Sequence, residues 1–238
     1  MAVDRSQAAG RVARAAAGGP HDELPLRLGA AVRDGLDVDG ATLSLLTDTP
    51  ARQLLAATDP AALRLEEIQF TVLEGPCISA AAAGAPVLVD DLQEALTPWP
   101  LFGASVREQL PALTSVYAFP LHVGDYVLGA MDLLGFGSDA WDDQAVEHAV
   151  AAAEAVSAAL VPARELLLLD DAPPAWQPAG MIKAHWFDTH MAIGMVCEQR
   201  RVSPQNALAL MRAAAFRSGR SLAQVTADIL RGAPPDAP

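Results

Sequence analysis

The sequence predicts an α+β protein in two parts: an antiparallel sheet flanked by helices, followed by a small all-α bundle of three helices. Three observations carry this reading. Short apolar runs suited to strands come in pairs separated by turn residues, a long Ala/Val-rich stretch of helical period follows them, and a proline-dense break then precedes a segment of opposite charge. The chain of 238 residues, 52% hydrophobic, is long enough for one sizeable core plus a smaller one.

Residues 1–20 are rich in Ala, Gly and Arg without cap or turn signals and are expected as a disordered, mobile arm. From Leu24 to Leu36 apolar residues recur at helical spacing, and Ala41–Thr47 with Gln53–Thr58 read as two strands separated by Thr49-Pro50. Asp59-Pro60 places an N-cap and a first-turn proline before a helix over 61–70, and Gly75-Pro76 repeats the device before a second short helix to Ala83. Val87–Val89 is a strand. Ser115–Leu121 and Tyr126–Gly135 are two more, joined across Gly124-Asp125, a dipeptide suited to a tight hairpin. Strands that return by hairpins imply an antiparallel sheet.

Asp142–Leu169 has Val146, Val150, Ala153 and Val156 on one helical face, with Pro162 expected to kink or divide it; such a stripe suits a homodimer seam. Pro173, Pro174 and Pro178 cannot continue a helix, so the domain boundary falls here. The expected organisation is an arm over 1–20, a sensor domain over 21–169, a linker over 170–180, a three-helix bundle over 181–232 and a tail over 233–238. In the bundle a first helix spans about 184–199, Ser203-Pro204 opens a second that runs to Arg217, and Ser221-Leu222-Ala223-Gln224 is a capping-box pattern opening the third.

Charge divides the chain at the same place. The whole carries −13, yet residues 1–177 hold 9 basic and 25 acidic side chains whereas 178–238 hold 7 basic and 4 acidic. The acidic part argues against a surface that binds nucleic acid or anionic lipid throughout; the basic end does not. Arg200, Arg201, Arg212, Arg217 and Arg220 cluster near the ends of the first two bundle helices and are candidate RNA-binding residues, since guanidinium groups pair with phosphates and stack on bases. Two cysteines, the absence of a signal-peptide pattern and apolar runs too short for a membrane span make the cytoplasm the expected location.

Most enzymatic and cofactor readings fail at the level of motif. Lys183 is the only lysine, which removes a P-loop; no Gly-x-Ser-x-Gly elbow occurs; and Gly135-Phe136-Gly137-Ser138 lacks the third glycine of a dinucleotide fingerprint. His185 and His190 stand five apart and cannot share one helix face as metal ligands, so neither metal nor cofactor is expected. Glu66-Glu67 and Asp90-Asp91 read as solvated faces. The sensor candidates are Cys77, in the first turn of a helix where free N–H groups favour a thiolate, and the aromatics Trp99, Phe102 and Tyr117, which either line a ligand cavity or fill an aromatic-poor core.

The run Glu66-Glu67-Ile68-Gln69-Phe70-Thr71-Val72-Leu73-Glu74-Gly75-Pro76-Cys77, followed by Asp90-Asp91-Leu92, Trp99-Pro100-Leu101-Phe102 and Ala118-Phe119-Pro120-Leu121, resembles the GAF sensor domain of actinobacterial regulators. Met191-Ala192-Ile193-Gly194-Met195-Val196-Cys197-Glu198, then Val202-Ser203-Pro204, Ala207-Leu208 and Ser221-Leu222-Ala223-Gln224-Val225, is similar to the ANTAR output domain, with Ile193 where that family usually has a polar or basic residue. The resemblance implies a dimeric regulator whose bundle binds paired RNA hairpins near transcription terminators, under control of an unknown small-molecule or protein signal at the GAF domain. A non-RNA interaction protein or a redox sensor is the alternative. The related sulfoxide reductases need a thiol pair, and with Cys77 alone in the sensor domain no catalysis is expected.

Overall fold

The computed structural model describes residues 4–20, 23–45, 53–93, 97–137, 140–168 and 187–233. Five strands, β1 (Gly40–Leu45), β2 (Gln53–Ala57), β3 (Val87–Val89), β4 (Ser115–Val123) and β5 (Tyr126–Gly135), form one antiparallel sheet in the order β2-β1-β5-β4-β3. Each follows from a run the sequence marks, and β4 turns into β5 across Gly124-Asp125. The Thr49-Pro50 turn and the proline linker over 170–180 lie outside the described residues.

Helices cover both faces. On one side lie α1 (Ala8–Ala17), α2 (Leu24–Leu36) and α6 (Asp143–Leu168); on the other lie α3 (Pro60–Val72), α4 (Pro76–Ala83) and α5 (Pro100–Gln109). The strand pleat decides which side chains each face receives. Leu43, Met131, Leu133, Phe119 and Leu121 point to the α1/α2/α6 side and make its apolar core with Leu28, Val32, Ala149, Ala152 and Val156. The alternate residues point to the α3/α4/α5 side, where a second core gathers Leu65, Ile68, Phe102, Val106, Val116 and Leu134.

Two elements depart from the sequence expectation. Residues 8–17, assigned to the mobile arm, form α1, whose Ala8 and Val12 are fully buried against α2 and α6. The correction has a physical cause: an alanine-rich helix can sit very close to its neighbour, and small side chains leave a weak hydrophobic signature. Residues 100–109, whose sequence marks no helix beyond the Trp99-Pro100 pair, form α5 with Pro100 in its first turn. Pro162 does not divide α6, which runs on to Leu168. The segment Asp143–Ala163 is apolar and long enough to match a membrane span, but its Ala149, Ala152 and Val156 are fully buried over the sheet, and the Val146, Val150, Ala153 and Val156 stripe expected as a dimer seam packs on that same core instead, because the sheet's apolar face needs a cover.

After the undescribed residues come α7 (Phe187–Arg200), α8 (Pro204–Arg217) and α9 (Leu222–Leu230). Ser203 caps α8 by accepting from the Asn206 N–H, and Ser221 and Gln224 complete the reciprocal capping box of α9. Ala192, Ile193, Val196, Leu208, Met211, Leu222, Val225 and Ile229 form the bundle core, with Ile193 only 6% exposed. This core is not closed on itself. Phe70 of α3 is part of it, so the bundle is docked on the sheet domain.

Candidate functional site

Every second residue of β1 and β5 on the α3/α4 side is small or polar at the sheet centre. Thr42 lies opposite Asp132 and Ser44 opposite Ala130, and Thr42, Ser44 and Asp132 are all fully buried. Glu66 and Gln69 reach down to them from α3, and Cys77 from the first turn of α4. The acidic Oε of Glu66, the Sγ of Cys77 and a carboxylate oxygen of Asp132 all lie within 4.8 Å of one another.

Gln69 organises this centre. Its Nε2 donates to Asp132 Oδ2 at 2.6 Å and to Glu66 Oε2 at 3.3 Å, while its Oε1 accepts from the Cys77 backbone N–H at 2.9 Å. The last bond satisfies one of the orphan donors at the start of α4, whose N-cap is Gly75, a residue without a side chain to do so. Gly75 has φ +137° and ψ 174°, a combination open to glycine almost alone, and a Cβ there would stand 2.5 Å from Gln69 Oε1. A Gly75→Ala variant is therefore expected to lose about 2 kcal/mol of stability in chemical denaturation, with Gln69 displaced from the α4 N-terminus.

The sensor candidates do not form one site. Cys77 is buried at the polar centre, with its sulfur 3.7 Å from Ser44 Oγ. Trp99 and Phe102 are on the same side of the sheet: Trp99 Nε1 donates to Ser79 Oγ of α4 at 2.9 Å, and the two rings meet edge to face at 6.0 Å between centroids. Tyr117 points to the opposite side, its ring 4.7 Å from that of Trp141. Its hydroxyl donates to Asp90 at 2.7 Å, and burial together with that carboxylate pushes its pKa up to about 12. Glu66 is buried, contrary to the solvated-face reading, whereas its neighbour Glu67 pairs with Arg64 at the outer side of α3. Asp132 and Thr42 carry no motif of their own and Gln69 enters only within the run that resembles the GAF domain; a carboxylate in the middle of the apolar run Leu128–Leu134 is the sequence signal for the first of them.

The five bundle arginines also separate. Arg200, Arg201 and Arg217 are exposed. Arg220 pairs with Asp228, which also takes Arg231, and the two cations hold the Asp228 carboxyl below the usual carboxylate range. Arg212 turns inward to the sheet domain: its Nε donates to the Phe70 carbonyl at 3.0 Å and its guanidinium lies 5.0 Å from the centroid of the Phe70 ring. Burial draws its pKa down to about 10, so it stays charged at neutral pH. Phe70 is in the last turn of α3, where a carbonyl lacks an intrahelical partner and a cation is favoured by the helix dipole. Thr71 adds a second link, its Oγ1 accepting from the Leu222 N–H at the start of α9 at 3.2 Å.

Residues 24–168 thus form a five-stranded antiparallel sheet with helices on both faces and a polar centre under two of them, with three further helices appended. The family model described as GAF domain matches residues 22–161, and the chain belongs to that family. In solved structures the chain is similar to the GAF domain from an Acinetobacter phosphoenolpyruvate-protein phosphotransferase, at 13% identity and TM-score 0.52 over 70% of this chain and 98% of that one. It is also similar to residues 122 to 287 of a methyl-accepting chemotaxis protein, at 15% and 0.51 over 67% and 99%. A third is the free methionine-R-sulfoxide reductase from Neisseria meningitidis in complex with its substrate, at 12% and 0.50 over 70% and 96%. At these identities the likeness concerns the fold. No curated protein matches the chain.

Proposed function

We propose that the chain is a non-catalytic, signal-responsive transcription regulator, in which the GAF domain governs an ANTAR-type bundle that binds paired RNA hairpins as a homodimer for antitermination. The observation that carries this reading is the docking of a bundle with exposed Arg200, Arg201 and Arg217 onto the last turn of α3. Gln69 of that turn faces the polar centre, and its chain neighbours Phe70 and Thr71 face the bundle. A change at the centre is thereby one residue away from the contacts that hold the output module. Arg212 serves as the latch in this scheme, and the exposed arginines meet phosphates and splayed bases.

Binding to two-hairpin RNAs at about 50 and 200 mM salt tests the reading, because each phosphate contact adds to the salt dependence. Arg201→Ala and Arg217→Ala are each expected to weaken binding and to reduce the salt slope by about 1. Binding of RNA that is indifferent to salt and to both substitutions would overturn the assignment. Failure to bind RNA at all, in a folded protein, would favour a protein-interaction module, for which the buried Ile193 in the family's polar position speaks.

A further inference from the structure

We propose that Glu66, Cys77 and Asp132 form a binding site for a single first-row divalent transition-metal ion such as Zn²⁺ or Fe²⁺. Their donor atoms converge within 4.8 Å, and the three side chains are 6%, 0% and 0% exposed. A second, independent feature lies on the same face of the sheet. Thr42 is fully buried and its Oγ1 has no hydrogen-bond partner. Thr42 lies directly opposite Asp132 across β1 and β5, so the two share a face of the sheet. It also stands two residues from Ser44, whose hydroxyl is in contact with the Cys77 sulfur. Its side chain therefore stands on the cluster's face of the sheet, where its hydroxyl would serve as a fourth ligand or as a donor to one.

The donor set selects the class of ion. Two carboxylates and a hydroxyl alone would suit Mg²⁺ or Ca²⁺, which favour six or more oxygens and keep waters; a thiolate in a dry, four-donor site favours a borderline metal. Tetrahedral coordination with bonds of about 2.0–2.3 Å places donors roughly 3.3–3.8 Å apart, so the side chains close by about 1 Å around the ion. The Gln69 amide, now hydrogen-bonded to both carboxylates, moves aside and becomes an outer-shell group through its bond to the Cys77 N–H. Binding forms a metal–sulfur bond and releases the thiol proton to solvent, with no change of oxidation state. The ligands come from β5, α3 and the first turn of α4, all elements fixed by the core. The site stands independently of whether the bundle binds RNA.

The test is titration of chelator-stripped full-length protein with Co²⁺, followed by competition with Zn²⁺. The expected result is one Co²⁺ per chain, with the near-ultraviolet thiolate-to-cobalt charge-transfer band and its displacement by Zn²⁺. Cys77→Ser is expected to abolish the band, Asp132→Asn and Glu66→Gln to weaken binding at least 10-fold each, and Cys197→Ser, which removes the only other thiol, to leave the band intact. Circular dichroism of each variant separates loss of a ligand from loss of the fold. The proposal is overturned if folded wild-type protein takes up no stoichiometric Co²⁺. It is overturned equally if the band persists in Cys77→Ser or disappears in a folded Cys197→Ser.

Discussion

Arg212→Ala is expected to undock the bundle. The change removes a charge-assisted hydrogen bond to the Phe70 carbonyl and a guanidinium stacked on the Phe70 ring. The first is worth about 1.5–3 kcal/mol and the second about 0.5–2. Their loss shifts the docked-to-undocked ratio by roughly 30-fold or more, since about 1.4 kcal/mol is tenfold. Hydrogen exchange reads this directly, because the Leu222 N–H is bonded across the interface to Thr71 and opens with it. Faster exchange at Leu222, with the strand amides of β4 and β5 unchanged, is the expected pattern. Unchanged exchange at Leu222 would show that the apolar contacts of Phe70 suffice. Lys at this position is not expected to rescue, for an ammonium lacks the planar face that stacks on the ring while its neighbour atom donates to the carbonyl.

A larger effect on the sheet domain is expected from Gly129→Ala. A Cβ at Gly129 would stand 1.9 Å from the Ser44 carbonyl oxygen and 2.9 Å from the Leu45 Cα. Both obstacles are backbone of the neighbouring strand β1, so no rotamer change relieves them. Either β1 moves away from β5, which disturbs the pairing that sets Thr42 opposite Asp132, or the new methyl is accommodated by bending β5 itself. The cost should reach about 3 kcal/mol or more, a fall in Tm of roughly 6–12 °C for a domain of this size. Calorimetry gives the number. A Tm within a degree or two of wild type would mean that the two strands are less tightly apposed than their register implies.

What the sequence made legible was local. Asp59-Pro60, Ser203-Pro204 and Ser221 with Gln224 announced helix starts because capping is a contact between near neighbours in the chain. The hairpin of β4 and β5 was legible for the same reason. The polar centre was not, because it joins positions as far apart as Thr42 and Asp132, and each alone looks ordinary. Glu66 beside Glu67 reads as a charged surface until the helix phase is fixed; only then does one point inward and its neighbour outward. Arg212 could be placed in a basic cluster from composition, but the direction it faces depends on Phe70, more than a hundred residues away. The aromatic candidates failed to converge because strand alternation sends Tyr117 to the face opposite Cys77, a parity that follows only from the register.

The short N-terminal helix has a bearing on how the sensor can be handled as a separate piece. The family match begins at residue 22, yet α1 belongs to the same core. Arg5 donates to the Leu36 carbonyl at 2.8 Å and lies 5.1 Å from the Trp141 ring centroid, while a Cβ at Gly35 would come within 3.0 Å of the Ala8 backbone. A fragment trimmed to the matched boundary would uncover the seats of Ala8 and Val12 on α2 and α6, leaving an oily stripe open to water. Such a fragment would tend to self-associate through that stripe, and any dimer it formed would report the trimming rather than the native assembly.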